Sequence, residues 1–149
     1  MYLYKRTNVE NWDNMQPEEK HSIDIKVGEK PVSKRRINPD RIKYIIEEVG
    51  YWRKANAIHQ WFVDNAQDGN DDCRDYHVSR QLLEELLSLV NQVIENRNLA
   101  SELLPTATGF FFGSTNYDDS YMEDIKSTKD ILTMALADKL GDYYYQSSW

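Results

Sequence analysis

Between Ser79 and Glu95 the chain reads SRQLLEELLSLVNQVIE, in which Leu82, Leu83, Leu86, Leu87, Val90, Val93 and Ile94 fall on one side of a 3.6-residue period. A strand cannot place all seven on one face, so the segment predicts a helix over 79–97 with a wide apolar stripe at the centre of a core, started by Ser79 as cap. Ser120 and Glu123 have the spacing of a capping box, after which Ile125, Ile131, Leu132, Ala135, Leu136 and Leu140 continue a second apolar face until Gly141. That predicts a helix over 119–140. Leu83, Leu86, Val90, Ile125 and Leu132 are the expected buried residues. A chain of 149 residues supports one such core without staples, and the lone Cys73 excludes an intramolecular disulfide.

The N-terminal quarter has a different texture. HSIDIKV alternates Ile23, Ile25 and Val27 with polar residues, the period of a half-buried strand, so a small sheet is expected to include residues 22–27, with YLY at the start as a pairing partner. GEKPVSKRR follows as a turn or basic arm over 28–37, carrying Lys30, Lys34, Arg35 and Arg36. Asn38 and Pro39 form a helix-start signal, and Ile42, Ile45, Ile46 and Val49 then lie at helical spacing. At Gly50 the phase breaks: Tyr51, Ala55, Ile58 and Phe62 make a new stripe, while Arg53, Asn56 and Gln60 continue the old line. The reading is a helical region over 39–66, interrupted at Gly50. The fold expected is therefore α+β: three or more helices beside a small antiparallel sheet, in a single compact domain. It comprises an extended part (1–37), a helical core (38–141) and an aromatic tail (142–149).

The net charge of −7 is unevenly spread. Residues 26–54 hold 9 basic and 4 acidic side chains (+5), whereas residues 55–149 hold 6 and 16 (−10). An acidic face repels phosphates and so disfavours nucleic acid there, and suits a protein partner instead. No apolar run approaches membrane-spanning length, the mean hydropathy is −0.75, and MYLYKRTNVENW lacks signal- or transit-peptide character. The expected location is the cytoplasm.

Three partial motifs bear on chemistry. Asp68, Asn70 and Asp72 occupy the first, third and fifth positions of a calcium loop, but Cys73 stands where glycine is needed and Ser79 where a bidentate glutamate is needed. His59, Cys73 and His77 are possible zinc ligands without a standard spacing, and a buried thiol with two hydrogen-bonded histidines is the simpler expectation. No metal and no cofactor is therefore expected. The run Gly113-Ser114-Thr115-Asn116 resembles a phosphate-cradling turn but lacks the lysine, and Asp118 and Asp119 would repel an anion. Phe110, Phe111 and Phe112, bracketed by Gly109 and Gly113, read as a short strand leading into this joint.

The residues with the character of a recognition surface are Trp52, Arg53, Lys54, Asn56, His59 and Trp61, together with Phe112 and Tyr117. Two functions fit them. One is capture of a macromolecule by an acidic and aromatic surface, without catalysis. The other is a small-ligand-binding or metal-dependent, hydrolase-type protein whose pocket lies between a helix over 51–66 and the joint over 110–117. No assembled catalytic motif is present, and nothing fixes the oligomeric state.

The blocks YWRKANAIHQWFVDNAQDGNDDC, LLEELLSLVNQVIEN and LLPTATGFFFGSTNYDDSYMEDI resemble those of small uncharacterised proteins encoded in tailed-bacteriophage genomes, over residues 50 to 135. The resemblance implies a phage accessory product acting inside an infected bacterium, and the macromolecule captured under the first function would then be a host or phage one, such as a host defence component. It implies no activity, cofactor or site residue.

Overall fold

The computed structural model describes residues 1–109 and 113–148. In chain order the elements are β1 (Tyr2–Asn8), β2 (Lys26–Val27), β3 (Lys30–Pro31), β4 (Tyr44–Tyr51), α1 (Asn56–Ala66), β5 (Tyr76–Val78), α2 (Arg80–Glu95), α3 (Ala100–Leu103), α4 (Asp119–Ala137) and β6 (Asp142–Gln146), with short 3₁₀ turns at Pro17–Glu19, Pro39–Arg41 and Arg97–Leu99. The fold is α+β, with a four-stranded antiparallel sheet in the order β4-β1-β6-β5 and a separate two-stranded ladder of β2 and β3. The chain divides into two compact units, one of residues 1–5 and 47–149, the other of residues 6–46.

The larger unit is built around the two expected helices. Ser79 caps α2, its hydroxyl accepting from the Leu82 N–H at 3.2 Å, and Leu83, Leu86, Val90, Ile125 and Leu132 have no exposed surface. Helices α2 and α4 pack on one another, and the inner face of the sheet closes the core through Leu3, Val78, Tyr143 and Tyr145. Phe62 of α1 stacks on Tyr145 with ring centroids 4.1 Å apart, at an interplanar angle of 12°. Within the expected aromatic tail, Asp142–Gln146 is thus a core strand. β6 pairs with β5 in the register Tyr76↔Tyr145, His77↔Tyr144 and Val78↔Tyr143.

The main correction concerns residues 39–51. The Asn38 side chain does cap, accepting from the Asp40 N–H at 3.1 Å, but the helix it starts is a single 3₁₀ turn, and Tyr44–Tyr51 is a strand. Ile45, Ile46 and Val49 are β-branched and Tyr44 and Tyr51 aromatic, the types that suit a pleated surface, and this preference overrides a helical spacing that rests on four residues. Gly50 marks a close approach, not a helix end: a Cβ there would lie 2.5 Å from Ile131 Cγ2 of α4. α1 accordingly begins at Asn56, and α4 ends at Ala137, short of Leu140, which is exposed.

In the smaller unit, residues 22–25 are irregular and only Lys26–Val27 form a ladder, with β3 across the turn at Gly28 (φ 60°). Ile23 and Ile25 are half-buried between exposed neighbours, as the alternation expects, but Val27 is 65 % exposed. β1 lies between β4 and β6 and has no ladder with 22–27. The expected strand at Phe110–Phe112 lies outside the described residues.

Candidate functional site

In the larger unit, a cleft of about 280 Å³ opens where α1 and α4 begin. From β4 the chain turns at Lys54, whose φ of 64° is in the left-handed region that a lysine adopts at a cost. Arg53 and Lys54 are exposed at the lip, and neither enters an ion pair among the described residues. Ala55 then precedes the first turn of α1 and offers no side-chain cap, so among the described residues the backbone donors of that turn and the positive end of the helix dipole border the cleft without a side-chain cap.

The facing side is acidic. Asp118, Ser120, Glu123 and Asp124 from the start of α4 line it, and Ala57, Ile58, Tyr121 and Ile125 supply the apolar part. Asp118, not Ser120, is the cap of α4, accepting from the Tyr121 N–H at 3.1 Å. Asp124 is one helical step from both Tyr121 and Thr128, which are buried, and so its carboxyl is carried partly inward. Burial first, then the charges of Glu123 and Asp118, push it up to about 6.

Asn56 fixes the cleft's edge. Its Nδ2 donates to the Ser114 carbonyl at 3.0 Å and its Oδ1 accepts from the Ala107 N–H at 3.2 Å, tying both sides of the connection between α3 and α4 to α1. Tyr117 holds the same connection together, its hydroxyl accepting from the Thr106 N–H at 3.3 Å and its carbonyl from Arg97. Asn56 is 5 % exposed, so its amide is a structural clamp that shapes the wall.

The structure separates the residues that the sequence grouped. Arg53, Lys54 and Asn56 meet in the cleft. Trp52 and Trp61 do not form a recognition surface, because both are buried: Trp52 donates through Nε1 to Thr128 Oγ1 at 2.9 Å, and Trp61 packs edge-on against Phe62. His59 points away from the cleft into the core, 1 % exposed, with Nδ1 2.7 Å from the Tyr145 hydroxyl and Nε2 3.3 Å from Asp71 Oδ1. Burial lowers its pKa against the opposing pull of Asp71, and burial raises that of Tyr145, so a neutral imidazole accepts from the phenol and carries its proton on Nε2. Phe112 lies outside the described residues.

The motif residues of the acidic turn are likewise dispersed. Asp72 holds Arg74 and Tyr76, Asn70 exchanges hydrogen bonds with Gln67, and His77 on β5 reaches Asp142 at 3.2 Å. Cys73 is exposed rather than buried. Among the described residues, no three of His, Cys, Asp and Glu are grouped to hold a metal ion. No helix among them is long and apolar enough to cross a membrane.

Asp124, Glu123, Asp118, Ser114 and Ser120 were not singled out as binding residues from the sequence. One signal was available: Asp124 shares the helical line of Tyr121, Ile125 and Thr128, so a carboxylate was bound to sit at the margin of a buried stripe. In comparisons with known proteins, no family model, no curated protein and no solved structure matches this chain, and the site's chemistry rests on its own residues.

Proposed function

We propose that this protein binds a small dipolar molecule in the cleft between the starts of α1 and α4. Its anionic group would face Arg53, Lys54 and the uncapped first turn of α1, and its amine would face Asp124. The observation that carries this reading is the opposition of the two walls: cations outside any ion pair among the described residues on one, and on the other a carboxyl whose pKa is raised to about 6. A bound ammonium would relieve that carboxyl, and a bound carboxylate or phosphate would relieve the cations, so a zwitterion gains at both ends where a singly charged molecule gains at one. The volume suits a metabolite-sized ligand, at the small end of binding pockets.

Macromolecular capture through Trp52 and Trp61 loses its anchors with their burial. As a second proposal we keep the phage accessory role, under which ligand and partners are met inside an infected bacterium; the tyrosine-rich sheet face described below favours a protein partner. The small-ligand reading is tested by thermal shift with amino acids and aminoalkyl phosphates, each beside its N-acetyl form and its amine lacking the acid. Stabilisation by the parent zwitterion, with loss on either modification, is expected. Equal shifts for parent and modified forms, or none with any member, would refute it.

A further inference from the structure

The face of the sheet turned away from the helices carries an open row of aromatic rings. Alternation along β1 buries Leu3 and leaves Tyr2 and Tyr4 half-buried; along β6 it buries Tyr143 and Tyr145 and leaves Tyr144; along β5 it buries Val78 and leaves His77 exposed. Tyr51, 50 % exposed, has its ring 5.2 Å from that of Tyr2, which stacks on Tyr4 at 5.6 Å, and His77 meets Tyr144 edge-on at 5.6 Å. Carboxylates edge this row. Asp142 lies 3.2 Å from His77, and Glu48 and Asp75 are both close enough that their charges, after burial, raise the Tyr4 hydroxyl's pKa.

We propose that this face is a docking surface for an extended, arginine-rich segment of a partner protein. The commitment to arginine rests on charge and shape. Tyrosine faces attract a guanidinium that lies flat on them, and carboxylates take its N–H fork at the ring edges. The chain itself uses this pairing, with the Arg6 guanidinium 4.9 Å from the centroid of the Tyr44 ring. A single-stranded nucleic acid would also stack on aromatic rings, but its phosphates would meet three carboxylates on a chain of net charge −7. A second copy would set the same carboxylates against each other. Cations flank the row: Arg53 and Lys54 border a hollow beyond Tyr2 and Tyr51, and Arg6, engaged with Tyr44, follows Tyr4 along β1, so the segment crosses the strands over Tyr4 and Tyr144. This surface is separate from the α1/α4 cleft and does not depend on it.

The test is fluorescence anisotropy with a labelled peptide of alternating arginine and glycine, its lysine and citrulline counterparts, and labelled oligothymidylate, at low and moderate salt. The arginine peptide is expected to bind, the lysine form roughly fivefold more weakly and the citrulline form not measurably. Tyr4→Leu and Tyr144→Leu should each weaken it roughly fivefold while leaving the melting temperature close to wild type. Should either variant fail to fold, amide shift changes on adding the arginine peptide to the wild-type protein decide the matter, and they are expected along 2–5 and 142–146. No arginine-peptide binding, unchanged affinity in the folded variants, shift changes elsewhere, or tighter binding of oligothymidylate would each overturn the proposal.

Discussion

Lys54 adopts a backbone conformation that glycine would adopt more cheaply by about 1 kcal/mol, and the residue lines the cleft. Lys54→Gly should therefore raise the melting temperature by about 2–4 °C while weakening any cleft ligand, two opposite signs that differential scanning calorimetry and a binding titration read separately. Asp124 gives a second pair. Its pKa rises from 3.8 to about 6 on folding, so the folded state holds the proton more tightly, and stability falls as pH climbs through that window. Asp124→Asn should be more stable than wild type at pH 7 by about 1 kcal/mol after discounting for partial exposure, with the advantage gone below pH 4, as urea midpoints would show. His59 slopes the other way. Its folded pKa is lowered below 6.5, so its contribution is intact above that value and is lost as pH falls, when the unfolded chain takes up a proton more readily. His59→Ala should cost about 1–3 kcal/mol at neutral pH, leaving the Tyr145 hydroxyl without its acceptor, and should flatten the acid limb while cleft binding persists. The sequence placed His59 and Asn56 beside Arg53 because helical spacing puts them near one another. It could not say which side of α1 faces β6, and that packing alone sends His59 inward.

Helices α2 and α4 were legible because their apolar stripes extend over several turns and carry caps, so local preference and burial agree. β4 was not. Four apolar residues over eight positions satisfy a helical period by coincidence, and the Asn-Pro start is real but serves one 3₁₀ turn. Gly50 looked like a helix stop for a related reason: the demand it answers is the approach of Ile131, which is 81 positions away and invisible locally. Gly50→Ala should destabilise by about 1–3 kcal/mol through overpacking, and by clearly less in an Ile131→Ala background, a coupling that a double-mutant cycle in urea would expose. β6 was hidden by composition. Tyr143, Tyr144 and Tyr145 alternate between core and surface, but three consecutive tyrosines show no alternation in polarity.

The cleft draws on residues that local patterns cannot bring together: the turn out of β4, the uncapped start of α1 and the acidic start of α4, joined through the Asn56 clamp. It opens between the start of α1 and the start of α4, and its acidic wall emerges only from packing. Charge asymmetry along the chain becomes, in three dimensions, a short-range opposition across one opening. That opposition has a direct reading in calorimetric titration of the wild-type protein and Asp124→Asn with the most stabilising zwitterion and with its N-acetyl derivative. If the amine is held by Asp124, acetylation weakens binding roughly tenfold in the wild type and has little further effect in Asp124→Asn. An equal loss on acetylation in both proteins would mean that Asp124 does not receive the ligand's cation.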